Sequence, residues 1–363
     1  MYFWHIVCLQ TNAALPHEID RKATRHNVCH HASWEMFMTG LSRRAFALGT
    51  AATLLGTTQI TKSSAQSLAK IRVGSLTLPV FAPIIVNIMK AQKFDTKNGF
   101  EAEVQTYPSF SAYYAGLATG EIDTLIGGPT YFQKLRLEGV PLRIIATGAT
   151  LADLVIISKD PAIKSLTDLK GKQLAADMGS GQFQILSIYA KSKGIDLTKD
   201  MTLVNANFAV ARAQLAAARV DAAMIIEPIA TMMMKDDPSL KIIFNADAAW
   251  KEMADVTGWE LVYAMREDTI KKNANAPKQF VAALADVTKY LQADPDGADK
   301  IAVETVKLPP GVLKEAVHAK RWVFDAKPAW EAAEKKSIWD TFQRAVAAGF
   351  HPKLPDDAII YAP

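Results

Sequence analysis

The chain has 363 residues, of which 50% are apolar and 21% are charged, with a formal net charge of +4. This size and composition permit one large or two medium globular domains, and they exclude a fibrous or low-complexity chain. No apolar run is long enough to cross a bilayer by itself.

Residues 1–65 differ in composition from the rest, because they hold both cysteines and five of the seven histidines. The cluster His26, Cys29, His30 and His31 has a spacing that loosely suits zinc, but untranslated or unfolded sequence is the favoured interpretation. We therefore predict no metal site. Residues 1–37 are predicted to be an upstream extension that results from a mistaken start codon.

The pair Arg43-Arg44 precedes a weakly apolar stretch at 45–60, and the small residues Ser63 and Ala65 follow it. These small residues fit the minus-three and minus-one positions of a signal-peptidase site. The segment 38–65 resembles a bacterial twin-arginine signal peptide. The resemblance implies export to the periplasm by the twin-arginine translocase.

Cleavage after Ala65 leaves 298 residues with 35 basic and 34 acidic side chains. The mature chain is nearly neutral, so we expect no nucleic-acid partner. It holds no cysteine, which excludes a disulfide framework and a thiol nucleophile. Its two histidines, His318 and His351, lie in the C-terminal third, away from the predicted binding turns. We therefore predict that the protein is not an enzyme and needs no cofactor.

The mature chain alternates short β-rich runs with helical runs, which predicts an α/β fold of two similar halves. The predicted strands cover 71–74, 101–106, 123–126, 142–147, 173–176, 201–205, 221–225 and 241–244, and 154–158 is a further apolar run. The C-terminal third, from about 277 to 348, is predicted to be mainly helical. A weak repeat at an offset of 98 residues pairs Ser109 with Asn207 and Phe110 with Phe208. A true repeat and the general likeness of α/β units explain this pairing almost equally well.

Six polar or glycine-containing turns link predicted strands to helices, at 75–79, 107–110, 127–130, 177–182, 205–208 and 226–228. In open α/β sheets ligands bind outside the carboxyl ends of the strands, where helix N-termini point. The unpaired N–H groups and the helix dipole favour an anion there. The turn at 127–130 contains Pro129, which lacks an N–H donor, so a larger organic ligand is an alternative to a simple oxyanion.

Several motifs occur in a fixed order along the mature chain. They are the residues at 71–74, 116–123, 127–130, 139–141, 168–172, 179–180 and 220–228. On these residues the chain resembles the nitrate/sulfonate/taurine-type binding proteins of ABC importers. The resemblance implies a type II periplasmic-binding-protein fold, with two α/β lobes that close on a hinge over the ligand. The first lobe would comprise 70–150 and 258–363, and the second 151–257.

The candidate ligand-binding residues lie in the six turns or near the two predicted crossings between lobes. They are Thr77, Phe81, Tyr107, Ser109, Gly128, Thr130, Asp153, Ser180, Asn207, Glu227 and Trp259. Helix capping is the alternative role for the hydroxyl and amide side chains, and core packing is the alternative for the aromatic ones. For Glu227 the favoured alternative is an acid in the first turn of a helix, and Asp153 has the same ambiguity.

The resemblance implies a monomeric solute-binding protein that captures a small organic anion, of the sulfonate, taurine, nitrate or carboxylate class. Its partners would be the permease and ATPase of an ABC importer. A ligand-sensing periplasmic subunit and a thiamine-related binder of a pyrimidine precursor are the alternatives. A pyrimidine-forming enzyme of the same fold is disfavoured, because such relatives rely on a cysteine-rich segment and an active-site histidine.

Overall fold

The computed structural model describes residues 68–363, so the predicted extension and signal peptide lie outside the described residues. The chain forms two five-stranded sheets with helices around them. The strands are β1 (Ala69–Leu76), β2 (Phe100–Tyr107), β3 (Thr124–Gly127), β4 (Leu142–Thr150), β5 (Leu154–Ser158), β6 (Gln173–Ala176), β7 (Thr202–Asn205), β8 (Ala222–Ile226), β9 (Lys241–Asn245) and β10 (Trp259–Arg266).

The helices lie mostly between the strands in the first two thirds of the chain and follow one another in the last third. They are α1 (Phe81–Ala91), α2 (Phe94–Lys97), α3 (Phe110–Thr119), α4 (Pro129–Leu137), α5 (Gly181–Ser192), α6 (Leu197–Asp200), α7 (Phe208–Ala216), α8 (Ile229–Asp236), α9 (Ala246–Met253), α10 (Glu267–Lys272), α11 (Ala276–Ala293), α12 (Pro295–Val306), α13 (Val312–His318) and α14 (Ala332–Ala347). The predicted helical C-terminal third is confirmed.

The two sheets have equivalent strand orders, β2-β1-β3-β10-β4 and β7-β6-β8-β5-β9. In the first sheet β1 runs parallel to β2 and β3, whereas β10 runs antiparallel to β3 and β4. In the second sheet β6 runs parallel to β7 and β8, and β5 is the antiparallel strand. We call the elements built on each sheet the first and second lobes. The predicted α/β fold of the type II periplasmic-binding-protein class is confirmed.

The chain passes from the first sheet to the second between β4 and β5, through the short 3₁₀ helix Leu151–Asp153. It returns between β9 and β10. Two elements on this return path, α9 and β10, were missing from the sequence prediction. The run from Leu261 to Met265 is apolar without alternation, because β10 lies between two other strands and packs on both faces.

Three predicted helix starts are capped by the expected side chains. The oxygens of Ser109, Ser180 and Asn207 accept hydrogen bonds from the backbone N–H groups of Ala112, Phe183 and Val210, at 3.3, 3.1 and 3.0 Å. Each cap satisfies one of the free donors of its helix. These caps position the starts of α3, α5 and α7 at the carboxyl ends of the strands. Within residues 68–363, no helix combines the length and apolarity needed to cross a membrane.

Candidate functional site

A cavity of about 290 Å³ lies between the two lobes, at the carboxyl ends of β1, β3, β6 and β8. The first lobe contributes Leu76, Val80, Phe81, Ala82, Phe110, Ser111, Tyr113, Tyr114, Ile126, Tyr131, Glu260 and Leu261 to its wall. The second lobe contributes Asp177, Gly179, Ser180, Gly181, Gln182, Phe208 and Ile226. Because both lobes supply the wall, a ligand in this cavity would contact both at once.

Five of the six turns predicted from the sequence contribute at least one residue to the cavity wall. The residues include Leu76, Phe110, Ser180, Phe208 and Ile226. The sixth turn, at 127–130, is flanked by the lining residues Ile126 and Tyr131 but supplies none itself. The helix starts are therefore arranged around a shared hollow.

Aromatic rings form much of the wall. Phe81 stacks on Trp322, with ring centroids 4.1 Å apart and an interplanar angle of 4°. Tyr114 stacks on Tyr131 with centroids 3.9 Å apart. Because each of these lining rings is fixed by a neighbouring ring, the cavity presents rigid flat surfaces.

Phe110 and Phe208 meet edge to face across the boundary between the lobes, with their ring centroids 6.5 Å apart. These two residues correspond in the weak sequence repeat, and each is the first residue of its helix, α3 or α7. Both line the cavity. Equivalent positions of the two halves therefore form one aromatic contact between the lobes.

The start of α4 offers little to an anion. The N–H of Gly128 donates to the hydroxyl oxygen of Tyr114 at 3.1 Å, and Pro129 has no N–H. The Tyr113 hydroxyl donates to the carbonyl of Ile126 at 2.8 Å. Burial raises the pKa of both tyrosines above the ordinary value, so their hydroxyls stay neutral.

Among residues 68–363, no lysine or arginine lies on the cavity wall, whereas the acids Asp177 and Glu260 do. Glu260 projects from β10 and is 3% exposed. Its Oε1 accepts a hydrogen bond of 2.5 Å from Nε2 of Gln182, at the start of α5 in the opposite lobe. Burial raises the pKa of the Glu260 carboxyl, although hydrogen bonds to Asp153 and Gln182 oppose that effect. The wall thus carries acidic acceptors and no basic side chain.

Asp153 lies at the crossing between β4 and β5 and is fully buried. Among residues 68–363, no N–H or O–H group donates to either of its carboxyl oxygens. Burial raises its pKa well above the ordinary value, and the nearby charges of Glu260 and Glu227 raise it further. A hydrogen bond between Asp153 and Glu260 requires a proton on one of the two carboxyl groups.

Glu227 directly follows β8 and is also fully buried, but it is not among the residues that line the cavity. Its Oε1 accepts a hydrogen bond of 2.7 Å from Nε of Arg321 and one of 3.0 Å from the Thr231 hydroxyl. Its Oε2 accepts from the backbone N–H of Thr231 at 3.0 Å. Arg321 follows α13 of the first lobe, so this ion pair joins the lobes.

Two of the eleven candidate residues, Phe81 and Ser180, lie on the cavity wall. Ser180 caps α5 and also donates from its hydroxyl to the carbonyl of Asp177 at 2.7 Å. The other nine are not among the residues that line the cavity: Thr77, Tyr107, Ser109, Gly128, Thr130, Asp153, Asn207, Glu227 and Trp259. Their proposed contact with a ligand remains a prediction.

Sequence reasoning did not single out Tyr114, Tyr131, Gln182 or Glu260, which all line the cavity. Gln182 was within a predicted turn but was not selected. Glu260 did carry a usable signal, because it is a lone charge beside the apolar run of β10. The tyrosines belong to α3 and α4, and only the packing of these helices shows which faces meet the cavity. Within the described range, His, Cys, Asp and Glu form no group of three or more that could hold a metal ion.

Comparisons with known proteins agree with this architecture. A "Putative thiamine biosynthesis protein" of Haemophilus influenzae is 28% identical over 243 residues, which are 61% of this chain and 74% of that protein. The alkanesulfonate-binding protein SsuA of Xanthomonas axonopodis pv. citri, bound to MOPS, has a similar fold, with a TM-score of 0.67 at 20% identity, over 82% of this chain and 99% of that one. The periplasmic aliphatic sulphonate-binding protein SsuA of Escherichia coli has a TM-score of 0.68 at 18% identity, over 82% and 93%. The NMT1/THI5-like family profile matches residues 78–298, and the chain therefore belongs to that family.

Proposed function

We propose that this protein is a solute-binding component of an ABC importer, which captures a small molecule between its lobes and presents it to a permease. The cavity between two sheets that are joined by two crossings supports this role, because such lobes can close on a hinge over a ligand. The fold shared with sulfonate-binding proteins also supports it. A binding role, rather than catalysis, suits a cavity to which the described part of the chain contributes no histidine, cysteine or lysine.

For the ligand we propose a flat nitrogen heterocycle with N–H donors, of the aminopyrimidine class. The observation that carries this choice is the wall that residues 68–363 form, which has aromatic rings, a buried carboxyl group and no basic side chain. A ring can stack on Phe or Tyr side chains while its amino group donates to Glu260. The Haemophilus influenzae relative, whose name refers to thiamine biosynthesis, supports this class, because thiamine contains an aminopyrimidine ring.

The cavity volume sets the size of this ligand. About 290 Å³ equals the volume of roughly ten water molecules at ~30 Å³ each. This space holds one ring with short substituents. A ligand with two fused or linked rings and a long chain would need the lobes to open further.

The organic anion predicted from the sequence is the second candidate. The starts of α3, α5 and α7 border the cavity, and their dipoles favour negative charge. The solved relative with MOPS holds a ligand that carries a sulfonate. However, an anion in this cavity would lie near Glu260 and Asp177 without a basic side chain on the wall, which costs electrostatic energy.

A direct comparison of ligands tests the proposal. The mature protein, unfolded and refolded to remove any bound solute, is titrated with 4-amino-2-methylpyrimidine, taurine and an alkanesulfonate in a calorimeter. The aminopyrimidine should bind with a stoichiometry of one. At a hundred times its Kd it should stabilise the protein by about 2.7 kcal/mol. Binding of taurine or the sulfonate alone would overturn the aminopyrimidine class, and binding of none of the three would count against the solute-binding role.

The proposed location and partners follow from the same role. The protein would be exported by the twin-arginine translocase, act as a monomer in the periplasm, and dock on the permease of an importer driven by an ATPase. Uptake of labelled ligand into cells should fall when the gene is deleted and return with a plasmid copy. Normal uptake in the deletion strain, together with loss of a ligand-dependent sensor response, would instead indicate the sensing role.

A further inference from the structure

Three acidic side chains are buried at the strand ends where the chain crosses between lobes. Asp153, Glu227 and Glu260 are 0%, 0% and 3% exposed. Glu227 is compensated by Arg321 and by two hydrogen bonds from Thr231. Among the described residues, Asp153 and Glu260 form no ion pair. Both oxygens of Asp153 and Oε2 of Glu260 are buried and accept from no N–H or O–H group among the described residues. Each of the two carboxyl groups also acts on the pKa of the other, so this pair needs another explanation.

A single proton shared between Asp153 and Glu260 would remove the repulsion between two buried negative charges. Two facing carboxylates without a cation repel each other strongly in a buried site, so such pairs share a proton. The amide of Gln182 donates to Glu260 at 2.5 Å and so stabilises negative charge on Glu260. The charge of Glu227 acts on Asp153 and disfavours a second negative charge there. The proton therefore belongs mainly on Asp153, which donates it to Glu260.

We propose that Glu260 is the specificity-determining carboxylate for an N–H donor of the ligand, and that Asp153 is a positioning residue that holds a proton against it. This inference rests on the proposed function, since it assigns the group that selects the ligand class. A carboxylate offers about four lone-pair sites, of which Gln182 and Asp153 use two. Among residues 68–363 no N–H group donates to Oε2 of Glu260, and Glu260 is one of the residues that line the cavity. An N–H donor completes this set, whereas a sulfonate would meet only acceptors.

The pair also makes ligand binding depend on pH. Burial raises the pKa of Glu260, so acidification removes the negative acceptor earlier than it would for an exposed glutamate. The other ionisable groups around the pair are Glu227 with its partner Arg321, Tyr114, and Asp177 on the opposite wall. Tyr114 does not change charge near neutral pH, because burial raises its pKa. Affinity for the aminopyrimidine should therefore fall as pH decreases through the pKa of Glu260.

The experiment combines infrared spectroscopy with binding. The wild-type protein at neutral pH should show the C=O stretch of a buried protonated carboxyl group, and Asp153→Asn should lack it. Glu260→Gln should bind 4-amino-2-methylpyrimidine about tenfold or more weakly, because a hydrogen bond to a charged acceptor is lost. The amide of Asp153→Asn can still donate to Glu260, so its Kd should stay within about threefold of the wild-type Kd. In Asp153→Ala this donor is lost, and the fall in affinity on acidification should begin at a higher pH. Glu315→Gln on the exposed surface is the control for both measurements.

Two results would overturn the inference separately. Absence of the protonated-carboxyl band from wild type would exclude the shared proton. Equal binding by wild type and Glu260→Gln would exclude the specificity role, even if the band is present. If the aminopyrimidine fails to bind wild type at all, the proposed ligand class fails, and the infrared band still decides by itself whether the proton is shared.

Discussion

Nε2 of Gln182 donates a hydrogen bond of 2.5 Å to Oε1 of Glu260, which joins the start of α5 in the second lobe to β10 in the first. Both side chains line the cavity between the lobes. The bond can exist only while the two lobes are close together. It therefore couples the closed arrangement of the lobes to the carboxylate that we propose reads the ligand.

The first prediction concerns this bond. Gln182→Ala should raise the Kd for the aminopyrimidine about tenfold, mainly through faster dissociation, because the closed form loses a hydrogen bond to a charged group. Stopped-flow fluorescence separates the two rate constants. Gln214→Ala is the control, since Gln214 lies on α7 and outside the cavity wall. An unchanged dissociation rate in Gln182→Ala would show that the bond does not contribute to closure.

The second prediction concerns the aromatic contact between the lobes. Phe110→Leu should weaken binding of a flat heterocycle about tenfold, because a stacking surface of the wall is lost, and should weaken a sulfonate less. Titration calorimetry with both ligands measures the difference. Phe94→Leu is the matched control, because Phe94 packs on Tyr290 outside the cavity. A similar loss for the two ligands would contradict a stacking role for Phe110.

The third prediction concerns the buried ion pair of Arg321 and Glu227. Arg321→Met should lower the free energy of unfolding by about 3 kcal/mol, because Glu227 would stay buried without its cation. The double variant with Glu227→Gln should recover part of this loss, since it removes the uncompensated charge. Denaturant titration measures both variants.

The control for this pair is an ion pair between α8 and α13. Lys235 and Glu315 form an exposed ion pair of 3.0 Å, and Lys235→Met should cost less than about 1 kcal/mol. If Arg321→Met and Lys235→Met lowered the free energy of unfolding equally, the burial of Glu227 would not increase the stabilisation that Arg321 provides.

The fourth prediction concerns the pH dependence of stability. The pKa of Asp153 is raised by burial and by Glu260, so the folded protein binds a proton that the unfolded chain releases above its ordinary pKa of about 3.9. Stability is then lost as pH rises from about 4 through the folded pKa. Asp153→Asn removes this loss. Its free energy of unfolding relative to wild type should therefore increase as pH rises above about 4, until the folded pKa of Asp153 is passed.

Asp123 provides a control of opposite sign. Burial tends to raise its pKa, but hydrogen bonds from Arg72 and Thr269 hold it below the ordinary value. Its contribution to stability is present above the unfolded pKa and is lost as pH falls through the folded one. Asp123→Asn should therefore be destabilising at neutral pH and approach wild type in acid. If the free energy of unfolding relative to wild type changed with pH in the same direction for Asp153→Asn and Asp123→Asn, the assignment of a protonated Asp153 would be contradicted.

The fifth prediction concerns export. Arg43-Arg44→Lys-Lys should leave precursor in the cytoplasm, because the twin-arginine translocase reads the arginine pair. Cell fractionation followed by immunoblotting measures the distribution. A processed variant in the periplasm, at the wild-type level, would remove the assignment of residues 38–65 as a twin-arginine signal peptide.

Local patterns were enough to place most strands and helices before β9. Ser109, Ser180 and Asn207 were recognisable as helix caps because a cap depends only on a side chain and the next three residues. The element β10 was missed, because an apolar strand buried on both faces lacks the alternating pattern that marks a half-buried strand.

The candidate site was predictable at the level of turns but less so at the level of side chains. Five of six predicted turns reach the cavity, because the carboxyl ends of strands in each sheet meet at one edge. Glu227 and Asp153 looked alike in sequence, as acids at strand ends. Their environments differ because Arg321, which is 94 residues from Glu227, reaches one of them, and Glu260 faces the other.

The sequence by itself determined the α/β alternation, the capped helix starts and the absence of a thiol nucleophile after residue 65, since these depend on composition and on neighbours along the chain. Only the tertiary structure decided that Gln182 meets Glu260 and that Phe110 meets Phe208. It also decided that the described residues bring acids but no basic side chain to the cavity wall. The physical reason is that the charge and shape of a cleft depend on contacts between residues far apart in sequence. Those contacts are set by how two sheets, joined by two crossings, pack against each other.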